Sequence, residues 1–235
     1  MKKLHFSTQL RPSEITWGTR YLLFAIFFFG FLLKQLLDWL CPECPATLMT
    51  FILDTTYYGT NLLVSVFIFR HFLTEALKRV IKRLPMLLLI SAIALVTYYA
   101  VVIPLDILTE TIRPDHINKN TEHITNAIAI NPWFSTFAIV FLVPASEEIL
   151  YRGLVFGAIR KKNCILAYVI SILLFAAIHV IPYLGNEPIV LSLLSFVAYV
   201  PAGLILALSY EISDNIWTPI FIHTVINTIA VLYRG

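Results

Sequence analysis

Glu147 and Glu148 are adjacent, and Arg152 follows Glu148 at a spacing of four, just beyond the apolar run 133–143. Further along, Phe175-Ala-Ala-Ile-His179 and His223-Thr-Val-Ile-Asn227 set single polar residues into apolar stretches. A carboxylate or an imidazole can take and return a proton near neutral pH, and donors such as an amide N–H can stabilise an oxyanion. Together these types could activate a water for attack on a carbonyl. An ionised side chain at the bilayer centre costs roughly 2.5–3.5 kcal/mol even on mild insertion scales. A chain that keeps several such groups in its hydrophobic C-terminal half is using them for chemistry.

Helical spacing sorts the groups. Residues four apart share a face, so Glu148 and Arg152 can form an ion pair that lowers the cost of both. Glu147 sits about 100° away, and its own i+4 residue is Tyr151, so it stays free to act as a base. His223 and Asn227 share one face of the last apolar stretch, and Phe175 lies below His179 as a wall residue. Imidazole and carboxylate suit a divalent metal, whereas Asn is a poor ligand. The set therefore leans toward water activated by Glu147, with His and Asn as donors. A metal-bound water is the other option, and Glu147, His179 and His223 would then be its ligands. Taken singly, each residue has a plainer reading: a structural ion pair, an interhelical hydrogen bonder, packing. The case for function lies in finding all of them on three segments of one chain.

Those segments belong to a membrane protein. Of 235 residues, 59% are hydrophobic and 13% charged, against about 25% charged in soluble domains; mean hydropathy is +0.82. Seven windows approach the roughly 20 residues needed to span a bilayer: 20–40, 48–72, 85–108, 133–156, 165–180, 189–210 and 216–233. The expected fold is all-α, a polytopic bundle of about seven transmembrane helices forming one membrane domain over 1–235. A basic amphipathic helix around Glu75, Lys78, Arg79, Lys82 and Arg83 should lie on the cytoplasmic surface. Residues 109–132 read as an external loop, with Pro132 in the first turn of the next helix. No cleavable signal is evident, and the first span is expected to serve in targeting.

With the N-terminus inside, twelve of the seventeen Lys and Arg fall on the cytoplasmic side, and only Arg113, Lys119 and Arg234 fall outside. That asymmetry predicts N-in and C-out. The net charge of +3 reflects topology, and no basic–aromatic pattern points to nucleic acid. Cys41-Pro-Glu-Cys44 would face outside, where a local disulfide and an unpaired turn are equally expected. Asp54 reads as a cap or interfacial residue. Helical rise gives a check on convergence: Glu147 lies about 20 Å from Arg160, His223 about 12 Å from Asn215 and His179 about 25 Å from Lys162. Bringing them level requires tilt or a shorter fourth helix.

Glu147-Glu148-Ile-Leu-Tyr-Arg152-Gly153, Phe175-x-x-x-His179 and His223-x-x-x-Asn227 resemble the three motifs of the CPBP family. That family comprises type II CAAX prenyl proteases and bacteriocin-processing or immunity proteins, also called Abi. The resemblance covers 133–235. It implies an intramembrane glutamic-type endopeptidase in which Glu147 is the general base and His179 helps hold the water. His223 and Asn227 would stabilise the oxyanion, with Glu148 and Arg152 positioning the helix. It implies no certain cofactor, a divalent metal being the open alternative. The partners it implies are the lipid bilayer and a substrate: a membrane-associated peptide, bacteriocin precursor or lipid-modified protein. A bacterial cell membrane is the expected location. Two competing functions are a non-catalytic immunity protein and a proton-coupled transporter; against the latter stands the lack of an inverted repeat or a broken-helix pair.

Overall fold

Asparagine side chains start four of the helices. Asn118 Oδ1 accepts from the N–H groups of Asn120 and Thr121, Asn131 Oδ1 from Phe134, Asn163 Oδ1 from Leu166 and Asn215 Oδ1 from Trp217. Each satisfies backbone donors that an apolar environment would leave stranded. The computed structural model describes residues 7–114 and 116–234. Lys2 and Lys3, counted above among the twelve cytoplasmic Lys and Arg, fall outside these residues.

Among the described residues eight helical rods follow one another: α1 (Pro12–Leu40), α2 (Ala46–Ile68), α3 (Arg70–Ile112), α4 (Lys119–Ile130), α5 (Pro132–Arg160), α6 (Cys164–Ile178), α7 (Ile189–Ser213) and α8 (Trp217–Arg234). The architecture is an all-α polytopic bundle. Every apolar window read from the sequence finds a helix. Five rods are long and apolar enough to cross a membrane, namely α1, α3, α5, the α6 segment and α7. Trp217–Tyr233 is apolar but shorter.

Two expectations are corrected, and of the two readings of Cys41 and Cys44 the unpaired turn is the one found. The segment read as an external loop contains α4, a twelve-residue helix too short and too polar to register as apolar periodicity. The amphipathic basic segment is not a separate surface helix. It is continuous with the third span in the 43-residue α3, which passes through Pro85 and Pro104 unbroken. At about 1.5 Å per residue that rod is about 65 Å long, twice a hydrocarbon core of about 30 Å. Cys41 and Cys44 are free thiols at a turn, with Cys44 N–H donating to the Cys41 carbonyl. In α1, Lys34 and Asp38 neutralise each other at 2.6 Å across one helical turn.

The central rod is α5, which packs against α1, α2, α4, α6, α7 and α8. Its backbone widens into π-helical turns at Ala138–Leu142 and Ile149–Phe156, on either side of the α-helical turn Val143–Glu148. Such insertions free carbonyls and re-aim side chains, and they recur at functional sites. Neighbouring helices take up carbonyls in both widened turns. Asn227 Nδ2 donates to Ile139 O at 2.8 Å, and Ser171 Oγ donates to Tyr151 O at 3.1 Å.

One end of the bundle gathers basic residues and their partners. Arg160 pairs with Glu211, which also accepts from Tyr168, and Arg79 and Arg83 reach Asp214. At that end α8 begins inside the protein: Asn215 is buried and donates to the Ala76 carbonyl of α3.

Candidate active site

The two glutamates occupy opposite chemical situations one residue apart. Glu148 is fully buried. Its Oε1 accepts from Arg152 Nη1 at 2.8 Å and from His223 Nδ1 at 2.9 Å. Arg152, also fully buried, donates through Nη2 to the Gly203 carbonyl of α7 at 3.1 Å and lies 4.3 Å over the ring of Phe175. Carboxylate, guanidinium, imidazole and a backbone carbonyl thus form one network across α5, α7 and α8. A buried ion pair is held by the further hydrogen bonds its partners make; here they engage Glu148 Oε1 and both Arg152 Nη atoms, while Glu148 Oε2 and Arg152 Nε are buried with no hydrogen-bond partner among the described residues.

Glu147 faces the other way. Its Oε2 is shielded from solvent, has no hydrogen-bond partner and lies 3.9 Å from His179 Nε2. Tyr57 and Tyr58 of α2, together with Tyr151, are near enough to interact with its charge. The N-terminal half therefore contributes to the surroundings of the site. In the sequence the only signal for this is two adjacent phenols near the lone Asp54.

The end of α6 fixes His179. There the His179 N–H turns to the Ala176 carbonyl, leaving the Phe175 carbonyl to accept from His179 Nδ1 at 2.7 Å. Helix C-termini carry such orphan carbonyls, and a basic side chain commonly takes one. A carbonyl only accepts, so Nδ1 carries the proton and Nε2 of the neutral ring is an acceptor. Phe175 touches both histidines, with ring centroids 4.8 Å from His179 and 5.7 Å from His223.

The structure therefore brings Glu147 to His179, and Glu148, Arg152 and His223 to one another, with Phe175 between the two groups. Asn227 lies one turn beyond His223, with its amide on the Ile139 carbonyl. Beside it, α4, α5 and α8 enclose a cavity of about 220 Å³ lined by Ile139, Thr121, Thr125 and Val231 among others. Among the described residues, no three His, Cys, Asp or Glu side chains converge as a metal-binding group. Of the metal set expected from sequence, Glu147 faces His179, while His223 Nδ1 is engaged by Glu148.

Electrostatically, Glu148 is paired directly with Arg152, while Glu147 faces the His179 imidazole and feels the Arg152 charge only at longer range. Two acceptors 3.9 Å apart cannot bond each other. A molecule with two donor hydrogens, such as water, can satisfy both at once and keep its oxygen lone pairs for attack.

Residues 129–229 match the family described as type II CAAX prenyl endopeptidase Rce1-like. The matched segment contains all three motifs, so the resemblance to the CPBP family is borne out. A relative from Bacillus subtilis (strain 168), named "Putative membrane peptidase YdiL", is 29% identical over 118 residues, 50% of this chain and 43% of that protein. The match thus spans less than half the length of that curated relative. No solved structure matches the chain.

Proposed function

We propose that the protein is an intramembrane endopeptidase that hydrolyses a peptide bond with water activated by Glu147. The observation that carries this reading is the facing pair of acceptors, Glu147 Oε2 and His179 Nε2, 3.9 Å apart in a shielded site. A water donating to both would lose one proton to Glu147 as its oxygen attacks the peptide carbonyl carbon. The carbonyl π bond opens to an oxyanion, toward which the second Asn227 amide N–H donates, joined by His223 through Nε2–H when both of its ring nitrogens carry protons and Nδ1–H stays on Glu148. The oxyanion then re-forms the carbonyl, the C–N bond breaks, and Glu147 returns its proton to the leaving nitrogen. Glu148 orients His223 through Nδ1, which leaves Nε2 for the substrate, and Arg152 holds Glu148 in place. Since the expected metal ligands do not gather into one set, no step is routed through an ion.

The substrate class is a membrane-associated peptide, a bacteriocin precursor or a lipid-modified protein, in a bacterial cell membrane. The N-terminus is cytoplasmic and the C-terminus outside. The gathering of Arg79, Arg83 and Arg160 at one end of the bundle supports this orientation. The cavity beside Asn227 offers room for an apolar part of the substrate.

Glu147→Gln tests the mechanism. The variant keeps shape and hydrogen bonding but lacks the base, and cleavage should fall by about a hundredfold or more while thermal stability in detergent is unchanged. Incubation of the purified variant with membrane extracts should also trap uncleaved peptide, identifiable by mass spectrometry. A variant that cleaves as fast as the parent removes Glu147 from the mechanism.

A further inference from the structure

Tyr199 lies on α7, outside the three motifs, and its ring stacks on that of His179. The centroids are 4.2 Å apart and the planes 25° from parallel. The phenol is gripped from α4 and the residue preceding it: Asn120 Nδ2 donates to the hydroxyl at 3.1 Å, and the hydroxyl donates to Asn118 Oδ1 at 3.3 Å. Asn118 is fixed in turn as the N-cap of α4, and Asn120 Oδ1 accepts from Tyr183 at 3.4 Å. A continuous path of contacts runs from the start of α4 to the imidazole opposite Glu147.

This path supplies what the backbone contact cannot. The bond from His179 Nδ1 to the Phe175 carbonyl fixes one direction, but the ring can still swing about that axis and carry Nε2 away from Glu147. A stacked aromatic face removes the swing, since offset-stacked rings hold their planes. Among the described residues, Tyr199 is the α7 side chain whose ring stacks on His179, and an apolar residue at 199 would fill space without setting a plane. We propose that Tyr199 is a positioning residue that holds the plane of His179 so that Nε2 faces Glu147, with the N-terminal turn of α4 setting the position of the phenol. The inference rests on the peptidase reading of this site.

The test compares the parent, Glu147→Gln, Tyr199→Phe, Tyr199→Leu and Asn120→Ala, each purified in detergent. Two readouts are taken: kcat and KM on a cleaved peptide, and the ring-proton NMR signals of labelled histidine, with His179 assigned by its loss in His179→Gln. Tyr199→Leu should lower kcat about tenfold or more, because a small misplacement of a reacting group has effects of this order. KM should stay within about twofold, the signature of an interaction that matters only in the chemical step. The upfield shift that a stacked ring imposes on the His179 protons should vanish in this variant. Tyr199→Phe retains the ring, so the shift should persist and kcat should fall only about two- to fivefold; Asn120→Ala should behave likewise.

Unaltered His179 signals in Tyr199→Leu, or a loss of activity carried by KM alone, overturn the proposal. If Tyr199→Leu does not fold, a Tyr199→Phe variant whose His179 shift is lost overturns it equally. A parent that cleaves no peptide, or an active Glu147→Gln, defeats the peptidase reading instead; the NMR readout then decides the role of Tyr199 by itself.

Discussion

Compare α5 with the rods on the N-terminal side of the bundle. Half of the most apolar stretch of α5 is buried by protein (50%), against 11% for α3 and 17% for α1. α1 and α3 turn Phe27, Phe31, Trp39, Ile81 and Val96 outward, where lipid is as good a solvent as a core. α5, hemmed in by six neighbours, can hold a carboxylate and a guanidinium at zero exposure because those neighbours supply Gly203 O, His223 and the Phe175 ring. Hydrophobicity puts both regions in the membrane. The one surrounded by protein can hold ionised groups fully buried, and that is where chemistry can be placed.

The contrast is broken most severely at Arg152. Replacing it with Met leaves Glu148 buried opposite only His223. Removing one partner of a buried pair should destabilise by about 3–5 kcal/mol, measurable as lost thermal stability in detergent. The double variant Glu148→Leu/Arg152→Met should be less damaged than Arg152→Met alone, as no unpaired charge remains.

A milder break lies where α1 meets the core. A Cβ at Gly18 would collide with Cζ of Phe69, itself fully buried. Gly18→Ala should cost about 1–3 kcal/mol as overpacking, seen as a lower unfolding midpoint with the cleavage site intact.

The seating of α4 should depend on pH. His123 Nε2 lies 3.7 Å from Asp54 Oδ1, and this neighbouring carboxylate raises the imidazole's pKa above its ordinary value despite partial burial. A raised folded pKa stabilises fully below the unfolded value of about 6.5 and is lost as pH climbs through the folded one. Hydrogen exchange in 119–130, corrected for intrinsic rates, should therefore show more protection in mild acid than in alkali. Asp54→Asn should flatten that profile; an unchanged profile removes the pair from α4's attachment. The smallest effect belongs to the lipid-facing side: Phe31→Ala should change stability by less than about 0.5 kcal/mol, and a larger loss would mean that face is covered by protein.

How much could be read in advance differs by residue. Glu148–Arg152 was legible because four residues make one helical turn, a local fact. The bond from His223 to Glu148 was not, since 75 residues separate them. The role of Nδ1 in His179 depends on α6 stopping at Ile178; Pro182 brackets that end to within a few residues, but the cap geometry that frees the Phe175 carbonyl is not marked in the apolar run. α4 escaped notice because its apolar face is short and its polar residues, Asn120 and His123, bond to α7 and α2 rather than to water. Tyr199 looked like one aromatic among many.

Amino-acid order alone settled the membrane, the helices and the three groups of polar residues, because hydropathy and helical spacing act within a few turns of chain. Which carboxylate is neutralised, which imidazole nitrogen stays open, and which distant tyrosine sets its plane were decided only when eight rods packed. In a low-dielectric interior an ionisable side chain is defined by its partners, and those partners come from helices that the chain brings together only on folding.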